Sequence, residues 1–564
     1  MNRSITLRKW QHSAIRDFLD KVAKEKDIEG GHRDFLAVAC PGAGKTTFAL
    51  TAVRHWLAGE RRPFVVVVPT RHLKTQWATA AERFGFHLEP DWEGREPTVP
   101  SDMHGIIVTY AQVATSSRLL RKLSENGIVI LDEIHHAGGD KTWGEGVEIA
   151  FENAGARLLL SGTPFRSDDA PIPFVTYTLG DHGDALADYE YDYGNALVDG
   201  GVVRPVFFPR FDGLMEWIGA DGSLKEASFG DDLDQEDRSA RLRTALSVDG
   251  DWLSTVLVKA DERLRSIRRQ TPDAGGLVIA MDQEHARGIA RLLERWTGET
   301  PALAVSDDPR ASEVIEEFAR SDDAWVIAVR MISEGVDIPR LRVAVHATTT
   351  ITPLFFRQAV GRIARWTPGR QSQKAYYFVP DDPRLRHHAA NIAETRRHSI
   401  DKRIANDVQK DTALDDLSRA VEIEEQPSLF QALSSTAMDT DDDSSSLSSS
   451  IDDGTDPNED VIVEMDELAG LPIDLPPPPA LPGRGTDPRA ALGDLRSRHA
   501  RKKDLRQWNA DKVLELVRST GMDHRSVNAE LNRRSRVERV AEADEVSLRR
   551  RLDTANAWLE SLRR

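Results

Sequence analysis

The chain has 564 residues, of which 40% are hydrophobic and 29% are charged, and its formal net charge at pH 7 is −18. A chain of this length exceeds the size at which one hydrophobic core still grows, so we expect several domains. The sequence has no stretch of 18 apolar residues and no apolar core near its N-terminus, so we expect neither a membrane span nor a signal peptide. The single cysteine, Cys40, excludes an internal disulfide, and we expect a cytoplasmic protein.

The negative charge is distributed unevenly along the chain. Residues 436–485 contain 13 acidic side chains and one arginine, whereas residues 486–564 contain 19 basic and 13 acidic side chains. Residues 1–435 are acidic as well. Net charge therefore does not by itself indicate a nucleic-acid partner, which would require a local basic groove on the main body.

Short apolar runs of strand length alternate with amphipathic segments of helix length in the first third of the chain. These runs are FLAVA (35–39), FVVVV (64–68), GIIVT (105–109), GIVIL (127–131) and RLLLS (157–161). Their continuous apolar character is typical of parallel strands that helices cover on both faces. A second series consists of LVIAM (277–281), WVIAV (325–329), VAVHA (343–347) and AYYFV (375–379). The two series predict two α/β lobes, joined by a connecting segment at 171–260.

Beyond residue 385 the sequence changes character. Helical periodicity over 386–435 predicts a helical extension. The acidic, Ser-rich and Pro-rich stretch 436–485 cannot bury enough apolar surface to offset its chain entropy, so we expect a disordered linker whose proline run is a stiff spacer. Residues 486–564 return to helical periodicity and predict a small α-helical C-terminal module.

The segment ACPGAGKTT (39–47) follows the first of these strands directly. In a phosphate-binding loop, glycines let backbone N–H groups surround the phosphates, Lys45 would reach the β- and γ-phosphates, and the Thr46 hydroxyl would bind Mg²⁺. Ala39 stands where the general pattern has glycine. A simple glycine turn that opens a helix is the alternative, but the strand before and the helix after the segment favour a nucleotide-binding loop.

A second group of polar residues, Asp132, Glu133, His135 and His136, follows the strand GIVIL. Beside a nucleotide-binding loop, Asp132 is expected to hold Mg²⁺, and Glu133 to orient or deprotonate the attacking water. A zinc site is the alternative. It is disfavoured because adjacent histidines project in different directions, whereas zinc sites use histidines at i, i+4 or further ligands at suitable spacing.

The form DEIH and the order of the neighbouring motifs resemble the superfamily 2 DExH-box helicases and translocases. The segments that carry the resemblance are LRKWQHSAI (7–15), the phosphate loop, VVVVPTRHLKTQW (65–77), VTYAQVA (108–114), DEIH (132–135), SGTPFR (161–166), ISEGVDIP (332–339) and QAVGRIAR (358–365). They are most similar to the XPB-like and type I/III restriction-subunit-like branch. The resemblance implies an α/β protein with two tandem RecA-like P-loop domains of parallel sheets and flanking helices, at 1–170 and 261–385.

The resemblance also implies which residues bind and hydrolyse ATP. The expected ATP contacts are Gln11, which would read adenine, and Pro41, Gly42, Ala43, Gly44, Lys45, Thr46, Thr47, Gly335 and Asp337. The expected catalytic residues are Lys45, Glu133, Gln358, Arg362 and Arg365, and the expected Mg²⁺ ligands are Thr46 and Asp132. For the two arginines, a solvated helix face is the alternative. For Gly335 and Asp337, the alternative is a turn before Pro339.

Two further sets of residues are implied by the same resemblance. Coupling between ATP and nucleic acid is expected at His135, Ser161 and Thr163. Nucleic-acid contacts are expected at Pro69, Thr70, Thr109 and Tyr110. A threonine at a strand end also commonly caps the following helix, and this alternative stays open for both threonines.

Together these patterns predict a helicase or translocase that uses ATP and Mg²⁺ and acts on nucleic acid, with DNA favoured over RNA. An RNA helicase is one alternative. A nucleotide-binding scaffold that recruits partners through its C-terminal residues is another. The basic residues of 486–564 are consistent with a protein partner or with contacts to a DNA backbone. We expect no membrane association.

Overall fold

A computed structural model describes residues 5–25, 33–94, 96–138, 141–162, 171–178, 185–219, 222–305, 310–329, 338–370, 373–411, 471–481, 498–541 and 543–563. The predicted site residues Thr163, Gly335 and Asp337 lie outside these ranges, as does most of the predicted linker at 436–485.

The strands are β1 (Ile5–Leu7), β2 (Asp34–Ala39), β3 (Phe64–Val68), β4 (Leu88–Glu89), β5 (Gly105–Thr109), β6 (Ile128–Leu131), β7 (Ala156–Ser161), β8 (Tyr189–Tyr191), β9 (Val206–Phe207), β10 (Arg210–Phe211), β11 (Leu214–Ile218), β12 (Leu224–Ser228), β13 (Gly275–Ala280), β14 (Ala302–Ala304), β15 (Trp325–Val329), β16 (Leu341–Ala347), β17 (Ala375–Pro380) and β18 (Leu471–Ile473).

The helices are α1 (Lys9–Glu25), α2 (Lys45–Leu57), α3 (Arg71–Arg83), α4 (Tyr110–Leu123), α5 (Lys141–Phe151), α6 (Tyr193–Asp199), α7 (Gln235–Ala245), α8 (Asp251–Gln270), α9 (Gln283–Thr297), α10 (Ala311–Arg320), α11 (Pro353–Ile363), α12 (Pro383–Asp411), α13 (Arg498–Thr520), α14 (His524–Ser535) and α15 (Glu545–Arg563). Within the described residues, none of these helices combines the length and apolarity that a membrane crossing needs.

The chain divides into two compact units. The first unit comprises Met1–Ala39, Gly44–Glu190 and Ala469–Arg564, and the second unit comprises Cys40–Ala43 and Tyr191–Leu468. The predicted fold class, two α/β lobes with parallel sheets and a helical C-terminal part, is confirmed. The first unit includes the chain up to Glu190, and the domain boundary expected at residue 170 stays a prediction.

The first unit contains a sheet with the strand order β4-β5-β3-β6-β7-β2-β8. The pairs from β4 to β2 are parallel. Every residue of β3, β5 and β6 is buried, as expected for valine- and isoleucine-rich strands covered on both faces. Because the carboxyl ends of parallel strands meet at one edge, the segments that follow β2, β3, β6 and β7 come together there.

The second unit contains another parallel sheet, with the strand order β10-β17-β16-β13-β15-β14 and with β9 beside β17. Its central strand, β13, begins with two glycines. A β-carbon built on Gly276 would lie 2.4 Å from the ring of Trp325 on the neighbouring strand β15. Glycine is therefore required at this position, because the indole occupies the space of a side chain.

Helices α13, α14 and α15 pack around an apolar core and a buried arginine. Arg551, which is 1% exposed, donates hydrogen bonds to the side-chain oxygens of Asn532 at 2.8 Å, Asn509 at 3.0 Å and Asn528 at 2.7 Å. Burial lowers the pKa of Arg551 to about 10. Three amide oxygens from two other helices thus satisfy the guanidinium group, and this network fixes how the three helices align.

The C-terminal helices belong to the first unit rather than to a separate body. Lys502 on α13 has a fully buried side chain, and its Nζ lies 3.0 Å from Glu89 Oε2 and 3.3 Å from Asp102 Oδ1. Arg506, one turn further on, lies 2.9 Å from the same oxygen of Glu89. Buried charges need such partners, so α13 and the edge strand β4 depend on each other.

The proline-rich end of the predicted linker differs from the expected spacer. β18 pairs antiparallel with β1, with Ile5 opposite Ile473. The proline run that follows contacts the first unit, where Arg54 Nε donates to Pro476 O at 2.6 Å and His104 Nε2 lies 3.0 Å from Pro479 O. Composition predicted a chain without partners, but the free carbonyl groups of a proline run are good hydrogen-bond acceptors.

We predict that Lys502→Met lowers the free energy of unfolding of the first unit by about 3–5 kcal/mol, because it leaves buried carboxylates without their ammonium partner. Urea denaturation followed by circular dichroism measures this change. Lys503→Met is the matched control, since it removes the same charge from the next, exposed residue of the helix. An equal loss of stability in the two variants would contradict the assignment.

The same network makes the stability of the wild type depend on pH. Burial raises the pKa of Glu89, but the charges and hydrogen bonds of Lys502 and Arg506 outweigh it and hold the pKa at about 2, below the ordinary 4.5. The stabilisation is therefore complete above pH 4.5 and is lost as the pH falls towards 2. This loss should be shallower in Lys502→Met than in the wild type.

Candidate active site

The phosphate-loop segment connects the carboxyl end of β2 to the first turn of α2. Gly42 and Gly44 have φ angles of 83° and 93°, a left-handed backbone that glycine adopts without strain. Gly44 is the N-cap of α2, and no side chain caps the helix there. The first turn of α2 therefore presents backbone N–H groups of the kind that bind phosphate oxygens.

Lys45 joins this loop to the end of β6. Its Nζ lies 3.4 Å from Glu133 Oε1 and donates a hydrogen bond to Ala39 O at 3.2 Å. The side chain of Lys45 is 13% exposed and that of Glu133 is 29% exposed. The ammonium group therefore stands beside the loop, in an ion pair that solvent screens only partly.

Asp132 is the first residue after β6 and is held from several sides. Its Oδ2 accepts a hydrogen bond from Trp77 Nε1 at 2.8 Å, its backbone N–H donates to Val67 O at 2.9 Å, and its backbone oxygen accepts from Tyr110 Oη at 2.9 Å. The backbone N–H of Glu133 also donates a hydrogen bond to this carboxylate. Burial, together with the charge of Glu133, raises the pKa of Asp132.

Glu133 has a left-handed backbone, with φ 50° and ψ 56°. This conformation costs a non-glycine residue about 1–2 kcal/mol, and it turns the side chain towards Lys45. Glu133 Oε2 accepts a hydrogen bond from the backbone N–H of Gly162 at 2.9 Å. Burial raises the pKa of Glu133, but the charges of Lys45 and His135 and the hydrogen bond from Gly162 together outweigh this effect and keep the pKa below its usual range.

His135 and His136 lie on a short 3₁₀ helix after Glu133 and face different partners. His135 Nδ1 lies 3.4 Å from Ser161 Oγ, and burial lowers the pKa of His135 to about 4. The ring of His136 stacks on that of Tyr110, with centroids 6.3 Å apart. The described residues that group at metal-binding spacing do not include either histidine. The geometry thus gives the zinc alternative no support.

Gln11, whose expected role in reading adenine stays a prediction, is bonded to the phosphate loop. It is 3% exposed, its Nε2 donates to Gly44 O at 2.9 Å, and its Oε1 accepts from the backbone N–H of Arg8 at 2.8 Å. A β-carbon built on Gly44 would lie 2.6 Å from Gln11 Nε2. In this structure Gln11 fastens the phosphate loop to the start of α1.

The expected nucleic-acid contacts divide into two pairs. Pro69 and Thr70 are half-buried, and Thr70 is the N-cap of α3 without a hydrogen bond from its side chain. Thr109 forms a capping box with Gln112 at the start of α4, and Tyr110 is fully buried. The capping box agrees with the alternative that Thr109 caps a helix, and nucleic-acid contacts of Thr109 and Tyr110 stay predictions.

The segment QAVGRIAR (358–365), called the sixth motif from here on, lies on α11 and just beyond it. Gln358 and Arg362 belong to this helix, and Arg365 follows its end. Within the second unit, a β-carbon on Gly361 would lie 2.4 Å from Pro41 Cγ, and one on Gly42 would lie 3.4 Å from Arg365 Cγ. Arg365 thus lies next to the first half of the phosphate loop, and Gly361 has to be glycine because of this close approach.

Arg204, which the sequence analysis did not identify, forms hydrogen bonds at the ends of the segments ISEGVDIP and QAVGRIAR. It is fully buried, and its guanidinium group donates to Pro339 O at 2.8 Å, Leu341 O at 3.2 Å and Thr367 Oγ1 at 3.2 Å. Its backbone N–H donates to Ala364 O at 2.7 Å. Burial lowers its pKa to about 8. No local pattern marks this arginine, because its partners lie more than a hundred residues away in the chain.

Trp77 was also missed, although it stands in the segment VVVVPTRHLKTQW. Its apolar surroundings on a helix are typical of a core residue. One signal was available: Trp77 lies on α3, the helix that follows β3, and β3 pairs with β6, the strand that leads to Asp132.

Two family models match this chain. The family described as "Type III restriction enzyme, res subunit" matches residues 4–166, and the family described as "Helicase conserved C-terminal domain" matches residues 286–367. The first match contains the phosphate loop and the DEIH segment, and the second contains the sixth motif.

Several curated proteins are similar over a large part of the chain. An uncharacterised protein of Mycobacterium leprae is 46% identical over 402 residues, which are 70% of this chain and 65% of the relative. One of Mycobacterium tuberculosis is 45% identical over 399 residues, which are 70% of this chain and 64% of the relative. The chain thus spans slightly less than two thirds of the length of these mycobacterial relatives.

A named relative is more distant. The DNA 3'-5' translocase XPB2 of Sulfurisphaera tokodaii is 25% identical over 386 residues, which are 64% of this chain and 79% of the relative. The site motifs, the two parallel sheets, the two family matches and this relative agree with one another. Together they support a superfamily 2 helicase.

Proposed function

We propose that this chain is an ATP-dependent helicase or translocase that acts on DNA. The observation that carries the proposal is the cluster of Lys45, Asp132 and Glu133 beside the phosphate loop, where the strands of the first sheet end. One ammonium group and two carboxylates at this place match the needs of phosphoryl transfer from a nucleotide to water. The name of the XPB2 relative, a DNA translocase, favours DNA over RNA.

The residues present fit ATP with Mg²⁺. Asp132 places a carboxylate directly after β6, and carboxylate oxygens suit a hard cation, while the Thr46 hydroxyl lies at the start of α2. When bound, Mg²⁺ neutralises charge on the β- and γ-phosphates. Pro41, Gly42, Ala43, Gly44 and Thr47 would surround the phosphates with backbone groups, as the family resemblance implies.

The Lys45–Glu133 ion pair suggests how the nucleotide prepares the site. Lys45 exchanges the carboxylate for phosphate oxygens when the nucleotide binds. Glu133 is then released to orient and deprotonate water, while the N–H of Gly162 keeps its Oε2 in place. His135 and Ser161 lie next to this carboxylate, which supports a role for both in coupling ATP hydrolysis to nucleic-acid binding. Thr163 follows Ser161 in the segment SGTPFR.

We assign the arginines of the sixth motif to the transition state. Charge spreads over the γ-phosphate oxygens during transfer, and an arginine finger contributes ~10³–10⁵ in rate, or about 4–7 kcal/mol. Arg362 and Arg365 belong to the second unit, and Lys45 belongs to the first. The proposed catalytic set is therefore divided between the two units in the chain, and we propose that turnover requires both.

We propose that Pro69 and Thr70, which follow β3, contact the bound nucleic acid. Gln358, Gly335 and Asp337 remain proposals from the family resemblance. A cytoplasmic location and a protein partner through residues 486–564 are further proposals, which rest on the single cysteine and on the exposed faces of the C-terminal helices.

The proposal predicts that ATP hydrolysis by the wild type is stimulated by DNA. Phosphate release should be measured with single-stranded, blunt, tailed and forked DNA and with RNA of matched length. Lys45→Ala should lose turnover under every condition, because the β/γ-phosphate contact is gone. Stimulation by RNA alone would point to an RNA helicase, and a wild type without stimulated turnover would point to a scaffold.

Arg365→Ala should lower kcat by about 10³-fold or more while ATP affinity changes by less than about tenfold, because the guanidinium group acts on charge that develops in the transition state. Single-turnover hydrolysis and equilibrium nucleotide binding measure the two effects. Arg357→Ala, an exposed arginine on the same helix, is the matched control and should leave both unchanged. Equal losses of binding and turnover in Arg365→Ala would contradict the assignment.

Thr109→Ala and Thr70→Ala should separate capping from strand contact. Loss of the capping box in Thr109→Ala should lower the free energy of unfolding by about 1 kcal/mol and leave DNA affinity unchanged. Thr70→Ala should weaken DNA binding, measured by fluorescence anisotropy with a labelled oligonucleotide. A larger loss of DNA affinity in Thr109→Ala than in Thr70→Ala would reverse the two roles.

A further inference from the structure

Trp77 joins a helix to the carboxylate that the proposed reaction assigns to Mg²⁺. It lies on α3 and is 3% exposed, and its indole Nε1–H donates to Asp132 Oδ2 at 2.8 Å. α3 follows β3, and β3 pairs with β6 up to Leu131, the residue before Asp132. The hydrogen bond thus connects two adjacent strands at the edge where the site forms.

The acceptor distinguishes this indole from another buried tryptophan of the first unit. Trp92 is 5% exposed, and its Nε1 donates to a neutral carbonyl, Thr98 O, at 3.2 Å. A buried indole needs an acceptor, and either bond satisfies that need. The bond from Trp77 is shorter and goes to a carboxylate, and hydrogen bonds to charged acceptors are roughly twice as strong as neutral ones.

The hydrogen bond fixes the orientation of the Asp132 carboxylate. The backbone of Asp132 is already held by Val67 and Tyr110, so rotation of the side chain is the freedom that remains. With Oδ2 bonded to the indole of Trp77, Oδ1 is the carboxylate oxygen that the proposed cation would contact. Partners that orient metal ligands in this way typically change metal affinity or activity by 10–100-fold.

We propose that Trp77 is a positioning residue that presents Asp132 Oδ1 to Mg²⁺. This inference rests on the proposed function, because it requires that Mg²⁺ and ATP bind at this site. Trp77 itself touches neither. Its contribution is to keep the carboxylate in one orientation before the metal arrives, so that the metal meets a preorganised ligand.

The test compares nucleotide affinity with and without metal. Isothermal titration calorimetry with adenylyl imidodiphosphate, in EDTA and in MgCl₂, gives the gain in affinity that Mg²⁺ provides. Trp77→Phe keeps an aromatic ring at this position but removes the N–H donor. It should therefore reduce this gain by at least tenfold and leave the affinity in EDTA unchanged. The Mg²⁺ concentration for half-maximal ATP hydrolysis should rise at least tenfold, while kcat at saturating Mg²⁺ stays within about threefold of the wild type.

Two further variants control for folding. Trp92→Phe removes an indole donor from the same unit and should leave the gain from Mg²⁺ unchanged. If Trp77→Phe does not fold, benzothienylalanine at position 77 keeps the shape of the indole and replaces its N–H by sulfur, and it should show the same loss. The inference is overturned if a folded variant at position 77 has the Mg²⁺ dependence of the wild type, or if Trp92→Phe loses as much. If the wild type neither binds the nucleotide nor hydrolyses ATP, the proposed function itself fails.

Discussion

Two neighbouring carboxylates, Asp132 and Glu133, stand at the buried end of one strand, and this concentration of negative charge is the constraint on which the first unit depends. The charge of Lys45 keeps Glu133 ionised, while burial and Glu133 together disfavour the charged form of Asp132. The N–H groups of Trp77 and Gly162 each stabilise one carboxylate. The triphosphate of the proposed nucleotide would add further negative charge to this place. A divalent cation would compensate that charge, so the proposed use of Mg²⁺ agrees with the electrostatics of the site.

Local patterns predicted the sheets and the polar residues at their edge. Continuous runs of valine and isoleucine are typical of buried parallel strands, and a glycine-rich loop between a strand and a helix is typical of a phosphate-binding loop. These patterns did not predict which side chains at that edge face inward. Tyr110 is predicted to contact nucleic acid. In the structure its side chain lies in the core, and its hydroxyl donates a hydrogen bond to the backbone oxygen of Asp132. For Thr109 the signal was present, because a glutamine three residues later is the pattern of a capping box.

Contacts between distant parts of the chain were beyond local reasoning. Periodicity predicted the C-terminal helices but contained no sign that Lys502 would meet Glu89, 413 residues earlier. Acidic and proline-rich composition likewise predicted a linker, whereas β18 completes a two-stranded sheet with β1. Composition reports what a segment can bury by itself, and it says nothing about surfaces that another part of the chain provides for it.

The route of the chain has a consequence for biosynthesis. The chain leaves the first unit after Glu190 and re-enters it at Ala469, so the second unit is an insertion into the first. At ~5–20 residues per second, a ribosome needs roughly 15–55 s to make the intervening segment. During this interval the nascent chain holds Glu89 without its lysine and β1 without a neighbouring strand. Of these two units, the first is therefore begun earlier and completed later, so its unpaired groups are exposed to aggregation for longer.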